Sequence, residues 1–206
     1  MVSSRELGAD VLLIRRRRPI DEPAALVPID DAGAATLDGT AGAGRIAQAM
    51  IDLGYAVDAV TQAVIPGDIA LEALAKLDLG RRFDAVVLGS HLVNLPEHER
   101  RATFLRLVGR HLADGGVALV EHHPIDWAET AEEVRLTPGS GVGMEDVRRD
   151  PPFVSAVSTF DVGGRFVRQP FTSRVLDEAE LARELEDSGL VVRRRLSPTW
   201  LEAALD

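Results

Sequence analysis

The stretch Ala35–Val60, ATLDGTAGAGRIAQAMIDLGYAVDAV, places Gly39, Gly42 and Gly44 between a short apolar run and a helix-like pattern. Its spacing predicts a strand over ATLDG, a helix over about Gly44 to Leu53 and a second strand over YAVDAV, a β-α-β beginning. A glycine-rich turn at the carboxyl end of a first parallel strand has no Cβ to keep a ligand from the backbone. The N–H groups opening the next helix supply donors there. Asp38–Gly44 is therefore the leading ligand site. Glycines that only solve the backbone problem of a helix start would look the same, so the glycines alone do not decide between the two.

Working outward, DIALEALAKLDL (68–79) reads as a helix, FDAVVLGS (83–90) as a buried strand and PEHERRATFLRLVGRHLADGG (96–116) as a long amphipathic helix. That helix opens with Pro96 and is expected to close at Gly115 and Gly116. GVALVEHH (116–123) is another buried strand. Apolar strands separated by helices predict a parallel sheet covered on both faces. After Trp127 the rhythm changes: residues 142–175 hold three runs of partial period-two alternation joined by Asp-Pro-Pro and Gly-Gly turns, an antiparallel meander. DEAELARELEDSG (177–189) is a helix capped by Asp177 and stopped by Gly189, and LVVRRRLS and TWLEAAL are two final strands. Residues 1–34 carry only a helix start near Ser4 and a loop rich in Pro, Ala and Asp.

Composition narrows the function classes. A chain of 206 residues, 46% hydrophobic, can bury one sizeable core and is expected to form a single domain over 1–206, with 1–34 as an extension and 142–175 as an insertion. The 33 acidic residues outnumber the 23 basic ones, for a net charge of -10, which argues against a nucleic-acid-binding surface and for small-molecule partners. Arg15–Arg18 and Arg193–Arg195 read as solvated charge or strand-edge protection, with a local phosphate site as the alternative. The absence of cysteine excludes disulfides, thiolate metal sites and a cysteine nucleophile, and it suits a cytoplasmic location. The N-terminal order of a short apolar run followed by arginines is not that of a signal peptide, and no segment reaches membrane-spanning length.

Taken together, LDGTAGAGRIAQAMIDLGYAVDAV, RRFDAVVLGSHLVNLP, LVGRHLADGGVALVEHHPIDW and FTSRVLDEAELARELEDSGLVVRRRL resemble, in order over residues 35–206, the class I S-adenosylmethionine-dependent methyltransferases. The resemblance implies a Rossmann-like fold: a seven-stranded, mostly parallel sheet with helices on both faces and an antiparallel last strand. It also implies S-adenosyl-L-methionine as cofactor. Asp38 matches the family's acid, Gly42 and Gly44 match its second and third glycines, and Gly39 lies in the same turn. Thr40 stands where the first glycine is expected, and Thr61 stands where an acid normally holds the ribose hydroxyls. The acid that meets the adenine in the family is Asp68, Glu72 or absent here, and Ser90 is placed to line the cofactor site.

Methyl transfer is an in-line displacement, so the protein has to position the acceptor and, where needed, remove a proton. His91, His122 and His123 follow the two buried strands at the sheet edge where ligands bind, and histidine titrates in the useful range. His91 and His122 are the candidate bases, while Asn94, His123 and Trp127 are candidate pocket walls. His98 and His111, on the long helix, are expected to face solvent. Neighbouring His122 and His123 should point to opposite sides, so no metal site is expected. The expected activity is methylation of oxygen or nitrogen on a small-molecule acceptor, with the meander covering the acceptor side and oligomeric state open. The rival is a methyltransferase-like binding module, or an enzyme of another reaction such as a cyclisation, motivated by Thr40, Thr61 and the short segment after Val60.

Overall fold

The computed structural model describes residues 11–15, 26–28, 56–61, 75–136, 142–162 and 165–206. The glycine-rich turn, Asp68 and Glu72, and the helices expected at 44–53 and over most of 68–79, lie outside these residues.

Two apolar runs on either side of one helix build the centre. FDAVVL forms β4 (Phe83–Leu88), HERRATFLRLVGRH forms helix α1 (His98–His111), and the chain returns as β5 (Leu112–Glu121), parallel to β4. On α1, Arg101, Phe104, Leu105 and Val108 follow the helical repeat and are buried. Phe104, Leu105 and Val108 join Phe83, Val86, Leu88, Ala118 and Val120 in the main core. The helix ends at His111, earlier than expected. Phe83 pairs with Leu112 but Ala85 with Val117, so residues 113–116 bulge out of the ladder. The glycine pair serves that bulge instead of a helix stop. Gly115 takes φ +74°, and a Cβ on Gly116 would lie 2.9 Å from the Ala113 carbonyl oxygen.

The main sheet has seven strands in the order β2-β3-β1-β4-β5-β10-β9, adding β1 (Val11–Arg15), β2 (Leu26–Pro28), β3 (Ala56–Thr61), β9 (Leu190–Ser197) and β10 (Trp200–Leu205). β2, β3, β4, β5 and β9 run one way. β10 opposes both its neighbours, as expected of the last strand. β1 also opposes its neighbours, β3 and β4, so the sheet is mixed where a parallel centre was expected. The sequence pattern places no strand before residue 35. VLLI is an unbroken apolar run, which suits a central strand as well as any segment of the chain.

The insertion is a separate three-stranded antiparallel sheet of β6 (Val142–Asp150), β7 (Phe153–Val162) and β8 (Arg165–Arg174), as the alternation predicted. Helix α2 (Trp127–Thr130) precedes it and helix α3 (Glu178–Glu186) follows. α3 opens with a reciprocal cap: Asp177 accepts from the Glu180 N–H at 2.7 Å, and Glu180 accepts from the Asp177 N–H at 3.1 Å. No helix among the described residues is long and apolar enough to cross a membrane.

α1 and α3 are joined by a buried ion pair. Arg101 donates through Nη2 to Glu184 Oε1 at 2.5 Å and through Nε at 3.0 Å, while His98 Nδ1 lies 3.2 Å from the same oxygen. Burial would raise the Glu184 pKa, but the hydrogen bonds from Arg101 and His98 prevail and hold it below the usual carboxylate value. The pair therefore stabilises the fold above pH about 4.3, and that contribution is lost as pH falls through the folded value. Arg101→Met is expected to cost about 3 kcal/mol in urea denaturation, the low end for a stranded buried charge because His98 remains. Replacing Glu184 by Leu as well should recover most of the loss.

Candidate functional site

β4 and β5 leave the sheet side by side, with Leu88 opposite Val120, and β4 borders β1, where the strand order turns back on itself. The carboxyl edge at such a point is where open α/β sheets hold ligands. After β4 the chain bends through Ser90 and His91, both left-handed, with φ 55° and 52°. Two consecutive non-glycine residues there cost about 1–2 kcal/mol each, strain of the kind that collects at functional sites. A 3₁₀ turn over Leu92–Asn94 follows and leads into α1.

The bend brings His91 to the end of β5. Its ring stacks on His123 with centroids 3.9 Å apart, and His123 stacks on Trp127 at 3.7 Å. Asn94 holds the middle ring in place. Its buried side chain accepts from the His123 N–H at 2.9 Å and donates to the Arg174 carbonyl at 2.9 Å, which ties the main sheet to the meander. His123 Nε2 also meets Ser173 Oγ at 3.2 Å. The meander thus lies beside the site, as expected.

The three histidines at this edge have different chemistry. Burial, together with His91 and His122, pushes the His123 pKa down to about 2, so it is a neutral plate. His122 Nδ1 donates to the His123 carbonyl at 2.8 Å, which fixes its tautomer and turns Nε2 toward Arg195 Nη1 at 3.4 Å. Both of its ring nitrogens are engaged. His91 differs: Nε2 lies 3.9 Å from Glu121 Oε1, and buried Nδ1 has no hydrogen-bond partner among the described residues. Burial lowers the His91 pKa, Glu121 opposes that shift, and His122 adds to it. The ring is half-buried and neutral at physiological pH.

Of the cofactor residues expected from sequence, Asp38, Gly39, Thr40, Gly42, Gly44 and Asp68 lie outside the described residues. Thr61 ends β3 and Ser90 follows β4. Val60 and Leu88 both pair with Val11, so Thr61 and Ser90 share one edge about 10 Å apart, two strand spacings. His98 is exposed and bonded to Glu184, as a helix-surface histidine should be. His111 is a correction. It is fully buried, with Nδ1 donating to the Leu107 carbonyl and Nε2 accepting from the Leu79 N–H at 3.1 Å. Leu79 lies at the approach to β4, and its N–H gives the ring a partner inside the core. Among the described residues, no group of three or more His, Asp or Glu is placed to hold a metal ion. Glu121 was not singled out from sequence, because its neighbour on the next strand is set by the β4–β5 register.

A groove of about 670 Å³ runs between the start of α1 and the meander, past Pro96, Arg100, Arg148, Pro170 and Thr172.

No family model matches the sequence, and no curated protein matches it. Among solved structures the chain is similar to Streptomyces venezuelae DesVI, at 20% identity over 79% of this chain and 71% of that one, with a TM-score of 0.50. It is also similar to an S-adenosylmethionine-dependent methyltransferase from Clostridium acetobutylicum ATCC 824 (14% identity, 64% of this chain, 62% of that one, TM-score 0.49). A third is the CcbJ methyltransferase from Streptomyces caelestis (21% identity, 65% of each chain, TM-score 0.49). The chain spans less than two thirds of the length of these last two. At such identities the likeness is one of fold, and the likeness to DesVI makes that fold Rossmann-like.

Proposed function

We propose that this chain is an S-adenosylmethionine-dependent methyltransferase acting on an oxygen or nitrogen of a small molecule. The observation that carries the reading is His91, held at the carboxyl end of β4 beside the strand-order reversal, with a buried Nδ1 that has no hydrogen-bond partner among the described residues. The Rossmann-like fold and the ordered sequence resemblance over residues 35–206 support it. The described part of the edge fits the cofactor: Thr61 and Ser90 stand on it together, and the orphaned nitrogen is a polar group waiting for a partner. Asp38–Gly44, Thr61 and Ser90 would hold S-adenosylmethionine, with Asp68 toward the adenine.

The cofactor supplies an electrophilic methyl group. The chain's own task is to position the acceptor and take its proton. His91 Nδ1 takes that proton from the acceptor hydroxyl or ammonium, and the ring is kept in plane by His123 with Trp127 behind it. Asn94 fixes His123 by its backbone and donates to the Arg174 carbonyl of β8, so the pocket wall is tied to the meander. His122, bonded on both ring nitrogens, is a wall. Calorimetry with S-adenosylmethionine tests the reading: a one-site isotherm is expected, and no heat of binding at millimolar cofactor would remove it.

A further inference from the structure

We propose that Glu121 is the positioning residue for the His91 base, an inference that rests on the methyltransferase reading for its catalytic meaning but not for its geometry. Glu121 is the last residue of β5, and its backbone pairs with Trp200 of β10, so its carboxylate projects from a strand held on both sides. His91 comes from the strained bend after β4. Glu121 Oε1 stands 3.9 Å from Nε2, the nitrogen away from the orphaned Nδ1. A carboxylate on that side favours the tautomer with hydrogen on Nε2, which leaves the lone pair on Nδ1, and it stabilises the imidazolium formed when Nδ1 takes a proton.

The other charged and titratable groups around the ring do not compete for this role. His122 and His123 come from the same end of β5 and are neutral. Arg195 of β9 faces His122 and is itself bound by Glu178 of α3 at 2.9 Å. Among the described residues, Glu121 is the carboxylate within ion-pair reach of His91. The stack on His123 sets the plane of the ring, and Glu121 sets which edge of it faces the acceptor.

The test uses Glu121→Gln, nearly isosteric and able to keep a hydrogen bond, and Glu121→Asp. The first readout is the imidazole titration of His91 by NMR in the protein alone, its resonance assigned by its disappearance in His91→Gln. Glu121→Gln should move that titration to lower pH by about one unit, since an adjacent opposite charge has been removed. Glu121→Asp should restore part of the shift. The second readout is methyl transfer. In Glu121→Gln, kcat should fall about ten-fold with the acceptor KM within a few-fold, and the acid limb of the rate profile should move with the NMR titration. A titration and a limb that stay where they are in both variants would overturn the proposal, as would a rise in KM with kcat unchanged. A titration that moves in a protein binding no S-adenosylmethionine would uphold the pairing and discard the methyltransferase reading, so the two failures are distinguishable.

Discussion

His91→Ala slows methyl transfer by roughly a hundred- to ten-thousand-fold and leaves S-adenosylmethionine affinity within a few-fold. That range is what loss of a positioned acid or base costs. The loss appears in kcat, because the ring's lone pair matters only while the acceptor's proton is leaving. The wild-type rate should rise with pH and then level off. Burial lowers the His91 pKa more than Glu121 restores it, so the midpoint falls below the free-imidazole value of about 6.5 and the plateau is reached by neutrality. The limb should vanish in His91→Ala. If His91→Ala turns over normally and His122→Ala shows the loss, the base sits on the wrong strand here. That outcome would require His122 to give up its bonds to the His123 carbonyl and Arg195. If neither matters, the acceptor needs no deprotonation and the stacked rings are only a wall.

Much of the scaffold could be read from local signals. β4, β9 and β10 are short apolar or alternating runs bounded by turn residues, and they fall within a residue or two of where the pattern puts them. α3 was legible at both ends, from the Asp177 cap to Gly189 with φ +75°. The meander was legible because its three alternating runs are separated in the sequence by a Pro pair and a Gly pair. What escaped depends on partners distant in sequence. Nothing in a Ser-His pair announces two left-handed residues; the bend at Ser90 and His91 is held by the strand before it and the 3₁₀ turn after it. His111 looked like a helix-surface residue, and only the Leu79 N–H, 32 residues away, makes its burial tolerable. Glu121 meets His91 through a strand register. The direction of β1 is likewise a pairing choice that its apolar run permits but does not specify.

Gly44→Val abolishes S-adenosylmethionine binding while leaving the protein folded. The glycines admit two readings, a turn that only opens a helix or a surface the cofactor must touch, and this substitution separates them. Valine has a slightly better helix propensity than glycine, so a glycine that only opens the helix would leave cofactor affinity unchanged, and its replacement would show in the urea midpoint alone, by about 1–2 kcal/mol where the turn needs a left-handed residue. A cofactor lying against the backbone would instead collide with a branched side chain that cannot swing clear, because its χ1 is restricted. The departures at Thr40 and Thr61 sharpen the contrast. Where the resemblance leads one to expect a carboxylate on the ribose hydroxyls, Thr61 offers a hydroxyl, and a charge-assisted bond traded for a neutral one gives up about 1.5–3 kcal/mol. On the proposed reading, binding would then lean on close approach to the backbone at Asp38–Gly44. A loss of at least about a hundred-fold, or ~2.7 kcal/mol, is expected for Gly44→Val, with Gly44→Ala in between. Unchanged calorimetric affinity in Gly44→Val would mean that the turn serves the helix alone, and the cofactor would have to be sought elsewhere on the sheet edge.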